Sequence, residues 1–339
     1  MINYLSLFSG RGGFEKAMTN LKIPFNLIGF SEFDKHAAKS YCAIHGVDES
    51  LNLGDITKID ETKLQKVDFV TYGFPCQDIS ISGKQQGLFN EDGSKTRSGL
   101  FFDALRIIEA TRPKVAIAEN VKNLIAPKFE EQFELVLKSL EEAGYNNYWK
   151  VLNSTDFGVP QQRERVFIVS IRKDVDTGVF EFPEVYPLKK HLIDLLDLNV
   201  ADDVFLTTDR ANNLVKSILE NGYEDKTQDK INVIGDLWAD NGHNSMAGRV
   251  YEIHGISPTL GASHFQQVKY IFDPFKNKIR PLVPLETFRL SGFTDDDFKA
   301  ASACNSKTQL LKQAGNTIVV DVAEELLCML FDEDGEFFI

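Results

Sequence analysis

The chain has 339 residues, enough for one large domain or two ordinary ones, and its 43% hydrophobic and 26% charged residues are typical of a globular protein rather than a disordered one. No apolar run approaches the roughly 18 residues of a membrane-spanning helix, and the first residues lack a basic signal-peptide pattern. We therefore expect no membrane segment and a cytoplasmic location.

The cysteines and histidines indicate neither a disulfide framework nor a metal site. The four cysteines contain no C-x-x-C pair, and the six histidines are scattered. The net charge of −13 argues at first sight against a nucleic-acid partner. However, residues 286–339 alone contain 4 basic and 11 acidic residues, so the rest of the chain could still form a locally basic surface.

The first half of the chain alternates between predicted strands and predicted helices. Apolar runs at 4–8, 26–30, 67–72, 114–118 and 166–171 predict strands, and the stretches 14–21, 100–110 and 130–143 predict helices. This order predicts an α/β fold, with a Rossmann-like, mostly parallel sheet and helices on both faces. The special residues follow the strands' carboxyl ends, the edge at which such sheets bind ligands.

From about residue 189 the alternation gives way to short apolar pieces between turns rich in Asn, Asp and Gly. We predict a first domain over 1–188, completed by 308–339, with one helix over 315–330. A smaller, irregular second domain is predicted over 189–282, and 283–307 is expected to form a hinge or connector.

A glycine turn, Phe8-Ser9-Gly10-Arg11-Gly12-Gly13, links the first predicted strand to the first helix. Such a turn lets a ligand approach the backbone closely and directs N–H groups of the helix start at it. Glu32 follows the next strand, where a carboxylate can bind ribose hydroxyls, and Asp55 could meet an adenine amino group. The pattern favours a nucleoside-containing cofactor, although a simple tight turn explains the glycines equally well. The glycine spacing excludes the dinucleotide fingerprint of a nicotinamide oxidoreductase.

Cys76 lies in Gly73-Phe74-Pro75-Cys76-Gln77, just after a predicted strand. A lone cysteine is more often a small buried hydrophobe than a nucleophile, but a proline-fixed turn at the ligand-binding edge can present a thiol to a ligand. Cys42 and Cys328 lie in apolar, helical surroundings and are interpreted as structural. Cys304 is given no role.

Two further patterns bring charged side chains to strand ends. Glu119-Asn120-Val121 ends one strand, where the carboxylate could act on a ligand, cap a helix or pair with a neighbouring cation. Gln161-x-Arg163-x-Arg165 precedes another strand and puts both guanidinium groups on one face, as would a solvated edge strand.

Together these motifs resemble, in order and spacing, the DNA (cytosine-5)-methyltransferase family of bacterial and phage restriction–modification type. The resemblance runs from residue 3 to about 330 and rests on the glycine turn, Pro75-Cys76-Gln77, Glu119-Asn120-Val121, the Gln161–Arg165 pattern and Gly315-Asn316-Thr317. Gly255-Ile256-Ser257-Pro258-Thr259-Leu260 is similar to the family's target-recognition signature, and the segment 280–293 to the one that organises its second domain.

The resemblance implies methyl transfer from S-adenosylmethionine to carbon 5 of a flipped-out cytosine in a specific duplex DNA sequence, with no metal and S-adenosylhomocysteine as product. Cys76 is then the nucleophile that adds to carbon 6, and Glu119 the group that protonates N3. Arg165 binds the base carbonyl, and Arg163 orients the thiol region or a phosphate. The first domain is the catalytic and cofactor-binding domain, and the second is the target-recognition domain.

The remaining site residues also follow from the resemblance. Cofactor contacts are expected at Phe8, Gly10, Gly12, Gly13, Glu32, Phe33, Asp55, Ile56, Pro75, Leu100 and Asn316. DNA contacts are expected at Ser80, Ser82, Lys84, Arg97, Gln161, Arg249 and Thr259, with Lys269 also lining the DNA cleft. Residues 80–98 are interpreted as a lid, although an ordinary surface loop has the same composition.

The expected partners are double-stranded DNA and, functionally, a restriction endonuclease. A monomer in the cytoplasm of a bacterial or phage-infected cell suffices for this chemistry. Two alternatives stay open: an RNA cytosine-5 methyltransferase of transfer-RNA type, and a DNA-binding relative that has lost catalysis.

Overall fold

The computed structural model describes residues 1–79, 86–224, 227–238, 246–262, 268–332 and 334–339. The described strands are β1 (Ile2–Leu7), β2 (Phe25–Ser31), β3 (Phe69–Tyr72), β4 (Val115–Val121), β5 (Tyr145–Asn153), β6 (Gln161–Gln162), β7 (Glu164–Arg172), β8 (Val233–Asp236), β9 (Arg249–Tyr251), β10 (Ser257–Pro258), β11 (Tyr270–Asp273) and β12 (Lys278–Pro281). The described α-helices are α1 (Gly13–Asn20), α2 (Lys35–His45), α3 (Phe101–Thr111), α4 (Glu130–Glu142), α5 (Asp209–Glu220), α6 (Pro284–Arg289), α7 (Asp295–Ser302), α8 (Lys307–Gly315) and α9 (Val320–Cys328). In this part of the chain no helix is long and apolar enough to cross a membrane.

The chain divides into two compact units whose boundaries differ from the predicted ones. The first unit comprises Met1–Asn153, Glu164–Glu184 and Val322–Ile339, and the second comprises Ser154–Arg163 and Val185–Asp321. The segments 154–163 and 308–321, which we expected in the first domain, therefore belong to the second unit. The predicted connector at 283–307 is likewise part of the second unit, where it forms α6 and α7.

The first unit is built on a six-stranded sheet in the order β2-β1-β3-β4-β7-β5. The first four strands are parallel, while β7 and β5 are antiparallel to their neighbours, so the predicted α/β fold with a mostly parallel sheet is confirmed. Strands such as β3, Phe-Val-Thr-Tyr, are buried along their whole length, as expected for a sheet whose two faces are covered.

The register of this sheet brings five chain segments to one edge. Leu7 pairs with both Ser31 and Tyr72, and Tyr72 pairs with Ala118. On the antiparallel side Val121 pairs with Arg165, near the start of β7. The loops after β1, β2 and β3, the end of β4 and the start of β7 therefore all lie along this edge.

The second unit contains more regular structure than the sequence predicted. It has a four-stranded sheet, β12-β11-β9-β8, and α5 packs against this sheet through Ala211 and Ile218. A separate two-stranded parallel pair joins β6 to β10. The sequence did not reveal this sheet, because its strands are three or four residues long, too short for an alternating pattern to stand out.

The helix predicted over 315–330 is confirmed only in its later part, as α9, because α8 ends at Gly315 and residues 316–319 are not helical. A Cβ atom on Gly315 would lie 2.2 Å from the backbone nitrogen of Ala262, so α8 ends where two backbones meet closely. The N–H of Val320 then donates to the carbonyl of Ser291 at 3.0 Å, which redirects the chain before α9 begins.

A buried ionic network holds the second unit together. The guanidinium of Arg280 donates to both carboxylate oxygens of Glu286 at 2.8 and 3.0 Å, and both side chains are 0% exposed. Asp273 lies 3.6 Å from the same guanidinium, and Glu286 also accepts the backbone N–H groups of Asp197 and Val283. Three consecutive elements, β11, β12 and α6, and the distant loop of Asp197 thus converge on one ion pair.

Replacing Arg280 with methionine is expected to destabilise the second unit by about 3–5 kcal/mol, because the Glu286 carboxylate stays buried without its counter-ion. The chain has two tryptophans, of which Trp149 lies in the first unit and Trp238 in the second. Urea unfolding followed by Trp238 fluorescence in a Trp149→Phe background measures this unit directly. An unfolding midpoint equal to that of the parent protein would contradict the assigned role of the pair.

Candidate active site

Cys76 lies in a tight turn directly after β3. Gly73, Phe74 and Pro75 follow the last strand residue, and the Cys76 carbonyl accepts the N–H of Ile79 at 3.0 Å. The Cys76 side chain is half-buried, whereas Phe74 is in the core. The turn therefore anchors an aromatic ring below the sheet edge and leaves the thiol partly accessible.

Two asparagines from the adjacent segment hold this turn on either side of Cys76. The side-chain amide of Asn120, itself 2% exposed, donates to the Phe74 carbonyl at 3.1 Å. The amide of Asn123 donates to the Ile79 carbonyl. Because Asn120 directly follows Glu119, the thiol turn and the carboxylate are fixed to the same piece of chain. Neither asparagine was predicted from the sequence to hold this turn.

Glu119 and Arg165 form an ion pair at the same edge. The Nε atom of Arg165 lies 3.0 Å from Oε1 of Glu119, and the two side chains are only 15% and 14% exposed. The other carboxylate oxygen faces Gly73, since a Cβ atom there would lie 3.6 Å from it. The structure thus brings Glu119 and Arg165 together beside the turn that carries Cys76, as the motifs predicted.

The glycine turn and Glu32 meet at the neighbouring strand ends. Gly10 and Gly12 have φ angles of 58° and 83°, a backbone region that favours glycine. Oε2 of Glu32 accepts the N–H of Gly10 at 2.8 Å, and Oε1 accepts the N–H of Asp34 at 2.7 Å. A carboxylate oxygen can accept more than one hydrogen bond, so these contacts fix the side chain and leave acceptor capacity for a ligand.

His45 supports the glycine turn from the end of α2. Its Nε2 atom lies 3.0 Å from the Arg11 carbonyl, which can only accept, so Nε2 carries the proton of this hydrogen bond. A Cβ atom on Gly12 would lie 2.1 Å from the same nitrogen, and the imidazole also packs against the Tyr41 ring. The glycine at position 12 is therefore required both by its backbone angle and by the imidazole beside it.

Asn52, which the sequence analysis missed, joins the loops that carry Glu32 and Asp55. Its side-chain oxygen accepts the N–H groups of Glu32 and Gly54 at 3.1 and 2.9 Å, and its amide donates to the Glu32 carbonyl. Asp55 caps the turn that follows, where the hydroxyl and backbone N–H of Thr57 hold the pKa of the Asp55 carboxyl below its ordinary value. The two carboxylates predicted to bind a nucleoside are thus positioned by one asparagine.

The other predicted cofactor residues of the first unit differ in accessibility. Phe33 is 81% exposed beside Glu32, so its ring is free to stack on a flat ligand. Phe8 has a left-handed backbone, φ 54°, and packs with Leu100 at the margin of the core. Ile56 is 4% exposed and belongs to the core, so only its backbone can face a ligand. Pro75 is half-buried beside Cys76.

Two predicted cofactor contacts remain, Gly13 at the start of α1 and Asn316 in the second unit. Gly13 is the first residue of α1, so its N–H lies at the helix N-terminus, as predicted. Asn316 belongs to the second unit, where it follows α8 and is exposed.

Arg97 is exposed, but its guanidinium already contacts the thiol turn. Nη1 donates to Oε1 of Gln77 at 2.5 Å, and the Arg97 backbone N–H donates to Asp78 at 3.0 Å. The described part of the predicted lid, residues 86–98, contains the antiparallel bridge between Phe89 and Lys95. This segment is tied to the turn of Cys76 rather than detached from it. The predicted DNA contacts Ser80, Ser82 and Lys84 lie outside the described residues.

Two predicted site residues, Gln161 and Arg163, are buried and serve the second unit internally. The Gln161 side chain, 1% exposed, donates to the Leu290 carbonyl at 2.8 Å and accepts the Leu260 N–H at 3.0 Å. The geometry therefore does not support a DNA contact by Gln161.

Arg163 is 5% exposed, and its guanidinium donates to the carbonyls of Leu260, Gly315 and Thr317. It fixes the loop around Asn316 rather than a phosphate. Arg163 was predicted to act at the catalytic site. Its described hydrogen bonds instead give it a positioning role in the second unit.

The other predicted DNA-facing residues of the second unit differ from one another. The Thr259 hydroxyl donates to the Gln162 carbonyl, next to the β6–β10 pair, and Arg249 is half-buried at the start of β9. Lys269 is 6% exposed, and burial lowers the pKa of its ammonium group. A lysine so enclosed does not present its charge to DNA, so the expectation for Lys269 was wrong.

No group of three or more metal-ligating side chains occurs among the residues that the structure describes. The groups available for chemistry at this edge of the sheet are a thiol, a carboxylate–guanidinium pair and a glycine turn with two acidic neighbours. Such a set can add a nucleophile to an electrophilic ring, donate hydrogen bonds to it and bind a nucleoside beside it.

Comparison with known proteins identifies the class. The family model of C-5 cytosine-specific DNA methylases matches residues 2–331, so the chain belongs to that family. It is 33% identical to the type II methyltransferase M.HhaI of Haemophilus parahaemolyticus over 95% of this chain and 92% of that protein. The type II methyltransferase M2.ScrFI of Lactococcus lactis subsp. cremoris is also 33% identical, over 98% and 99% of the two chains.

An orphan methyltransferase of Bacillus phage SPR, M.SPRI, is 30% identical over 96% of both chains. Among solved structures, the S. pombe Dnmt2 methyltransferase shares the fold with a TM-score of 0.69 at 19% identity, over 96% of this chain and 97% of that one. The protein is thus a methyltransferase of the family that methylates carbon 5 of cytosine in DNA, and this family uses S-adenosylmethionine.

Proposed function

We propose that this protein methylates carbon 5 of a flipped-out cytosine in a specific short duplex DNA sequence, through a covalent bond between Cys76 and carbon 6 of the base. The observation that carries the proposal is the meeting of three groups at one sheet edge: the Cys76 turn, Glu119 and Arg165. Carbon 5 of cytosine is a poor nucleophile until a thiolate adds to carbon 6 and makes the ring electron-rich.

Each of the three groups has a distinct task in this reaction. The sulfur of Cys76 forms a bond to carbon 6, and the negative charge that develops on the ring is offset at N3 by a proton from Glu119. Arg165 orients the Glu119 carboxyl through their ion pair and binds the base carbonyl with its remaining N–H groups. After methylation, water takes the proton from carbon 5, and the electron pair of that C–H bond expels the sulfur, which frees Cys76 as a thiolate.

The residues around the glycine turn fit S-adenosylmethionine. When bound, it supplies an electrophilic methyl group on its sulfonium sulfur. The N–H of Gly10 in the glycine turn donates to Glu32, which is held ready to accept ribose hydroxyls, and the exposed Phe33 ring offers a stacking surface for adenine. Asp55 can accept a hydrogen bond from the adenine amine, because Thr57 holds its carboxylate in place through two hydrogen bonds. These residues bind and orient the methyl donor and take no part in bond making.

A cytosine stacked in duplex DNA cannot reach the Cys76 thiol, so the target base must leave the duplex at a cost of roughly a few kcal/mol. The segment 80–98 would close over the flipped base, and its ties through Asp78 and Arg97 join its far end to the turn of Cys76. Closure and thiol position would then be coupled. The second unit would supply base recognition, with Arg249 and Thr259 as candidate contacts.

The type II relatives suggest that a restriction endonuclease acts as the functional partner, whereas the orphan relatives suggest action alone. A monomer in the cytoplasm suffices in either case. Growth of a host in which the gene and its neighbours are deleted singly would distinguish these possibilities. Lethality on loss of the methyltransferase alone indicates a paired nuclease.

A direct test of the proposed substrate is transfer of a tritiated methyl group to duplex DNA and to transfer RNA in parallel. We expect label in DNA only, recovered as 5-methyldeoxycytidine after digestion, at one short sequence. Label in RNA instead would favour the transfer-RNA type of enzyme. Tight DNA binding without label in either would favour a relative that has lost catalysis.

The His45 contact predicts an effect on cofactor affinity. His45→Phe keeps the ring against Tyr41 but removes the donor to the Arg11 carbonyl, which is expected to weaken S-adenosylhomocysteine binding about three- to tenfold. The turnover rate at saturating S-adenosylmethionine should stay within about twofold, since the chemical groups are untouched. Calorimetry measures the first quantity, with Lys39→Ala, on the exposed side of α2, as a control. Equal affinities in the His45 variant and the parent would contradict this role.

A further inference from the structure

A cavity of about 360 Å³ opens at the edge of the first unit's sheet opposite the catalytic residues. Its walls come from the segments just before β3 and β4, the end of α3 and the end of β7. β3 and β4 are parallel, so these are their amino ends, a strand length away from Cys76 and Glu119. The volume is within the range of small-ligand sites. The proposed methyl transfer gives no role to the residues that line this cavity.

The cavity is locally positive although the chain as a whole carries a net charge of −13. Four cationic side chains line it, against two carboxylates, which leaves an excess of two positive charges. The charged lining residues are Lys66, Arg112, Lys114, Arg172, Asp68 and Asp174. Clefts lined by one sign of charge concentrate ligands of the opposite sign.

Part of this charge is already used within the protein. Arg172 binds Asp174 through two nitrogens, at 2.6 and 3.1 Å, and donates a third hydrogen bond to the backbone carbonyl of Arg112. Lys66 pairs with Asp68 at 3.1 Å. These contacts neutralise both carboxylates and cap the carboxyl end of α3, which accounts for Arg172 and Lys66 without any ligand.

Arg112 and Lys114 are not accounted for in this way. Within the described ranges, the Arg112 guanidinium makes no hydrogen bond or ion pair, and Lys114 directs its ammonium group over the Phe337 ring at 5.8 Å without a carboxylate partner. The charge of Arg112 is nevertheless felt in the cavity: together with the larger effect of Arg172, it lowers the pKa of the Asp174 carboxyl. The Arg112 guanidinium and the Lys114 ammonium group are therefore two cationic groups available to one ligand.

The backbone of Arg112 adds an independent observation. It ends α3 in the left-handed region, at φ 46° and ψ 55°, where glycine or asparagine is usual. A non-glycine residue in this region is strained, and such strain concentrates at functional positions. A glycine would end the helix with less strain, so the helix end by itself does not account for an arginine at this position.

We propose that this cavity binds a phosphate group, held between Arg112 and Lys114. A guanidinium donates two parallel hydrogen bonds to phosphate oxygens, and an ammonium group adds a point charge from the other side. The phosphate can belong to a small phosphorylated molecule or to a DNA backbone outside the catalytic cleft, and these share the same chemistry. The site does not depend on the proposed catalytic function.

Calorimetric titration with inorganic pyrophosphate tests the site, at low salt and with saturating S-adenosylhomocysteine present. Binding to the wild-type protein should saturate at one per chain and weaken at least about tenfold in Arg112→Gly and in Lys114→Gln. Arg112→Gly suits the left-handed backbone, so its urea midpoint should equal or exceed that of the parent, which separates lost binding from lost folding. Lys138→Gln, an exposed lysine on α4, is the matched control and should bind as the parent does.

A second arm identifies the source of the phosphate. A 12-base-pair duplex of A·T pairs only is added to the wild-type protein with bound pyrophosphate and is titrated separately into Arg112→Gly. Displacement from the wild-type protein together with weaker duplex binding by Arg112→Gly assigns the site to DNA backbone, and the absence of both assigns it to a small phosphorylated molecule. The proposal is overturned if pyrophosphate gives no saturable heat with the wild-type protein, or binds wild type and Arg112→Gly equally.

Discussion

Replacing Cys76 with alanine is expected to lower the rate of methyl transfer to DNA by at least about a thousandfold, because no other group at the sheet edge can add to carbon 6. S-adenosylhomocysteine binding should be unchanged, since the glycine turn and Glu32 do not contact the thiol in the described contacts. The measurement is incorporation of tritiated methyl groups under single-turnover conditions.

Cys304→Ala is the matched control, because Cys304 is exposed at the end of α7 and the proposed function gives it no task. This variant should retain the parent rate within about twofold. A Cys76→Ala enzyme that kept more than about a tenth of the parent rate would contradict nucleophilic catalysis by this thiol.

Replacing Glu119 with glutamine is expected to reduce the rate about 100- to 10,000-fold, the usual contribution of a positioned acid or base. An amide has nearly the same shape and can still accept the hydrogen bond from Arg165 Nε, so the local fold is kept. It cannot transfer a proton to N3, however. The loss should therefore lie in the turnover rate and not in cofactor affinity.

Glu164, on the strand next to β4, provides the control for the loss of a negative charge without the loss of a proton donor. Glu164 lies at the start of β7 and pairs with Lys122 at 2.7 Å on the protein surface. Glu164→Gln should change the rate by no more than about twofold, as expected for an exposed ion pair. Similar losses in the Glu119 and Glu164 variants would indicate a general electrostatic effect instead of proton transfer.

The residues at the sheet edge could be predicted well from the sequence, because each pattern that marks them lies within one short, continuous stretch of the chain. Apolar runs followed by special residues mark β1, β3 and β4 with their loops, and parallel strands bring those loops together without further information. This reasoning correctly joined Glu119 and Arg165 to the turn of Cys76. It missed β5, whose sequence Tyr-Asn-Asn-Tyr-Trp-Lys-Val-Leu-Asn is too polar to stand out as a strand.

The misassigned residues depend on distant backbone partners. Gln161 and Arg163 alternate like residues of a solvated strand, yet both are buried because carbonyl and N–H groups 97 to 154 residues away satisfy them. Polar side chains can be buried only with such partners, and a local pattern does not reveal them. The supporting residues His45 and Asn52 were missed for the same reason, since each acts on backbone groups of another loop.

The same dependence on distant backbone partners defines the role of Arg163. Its guanidinium fixes Leu260, at the end of the segment similar to a target-recognition signature, to the loop of Gly315 and Thr317. Asn316, a predicted cofactor contact, lies between the last two. Arg163 is therefore a positioning residue within the second unit.

Covalent trapping on DNA that contains 5-fluorocytosine tests the central claim most directly. Fluorine cannot leave carbon 5 as a proton, so the carbon–sulfur bond persists after methyl transfer. We predict a denaturation-resistant complex that forms only with S-adenosylmethionine, contains a peptide modified at Cys76 and is absent from the Cys76→Ala protein. A complex attached to another residue, or methylated DNA without any trapped complex, would contradict the mechanism proposed for this protein.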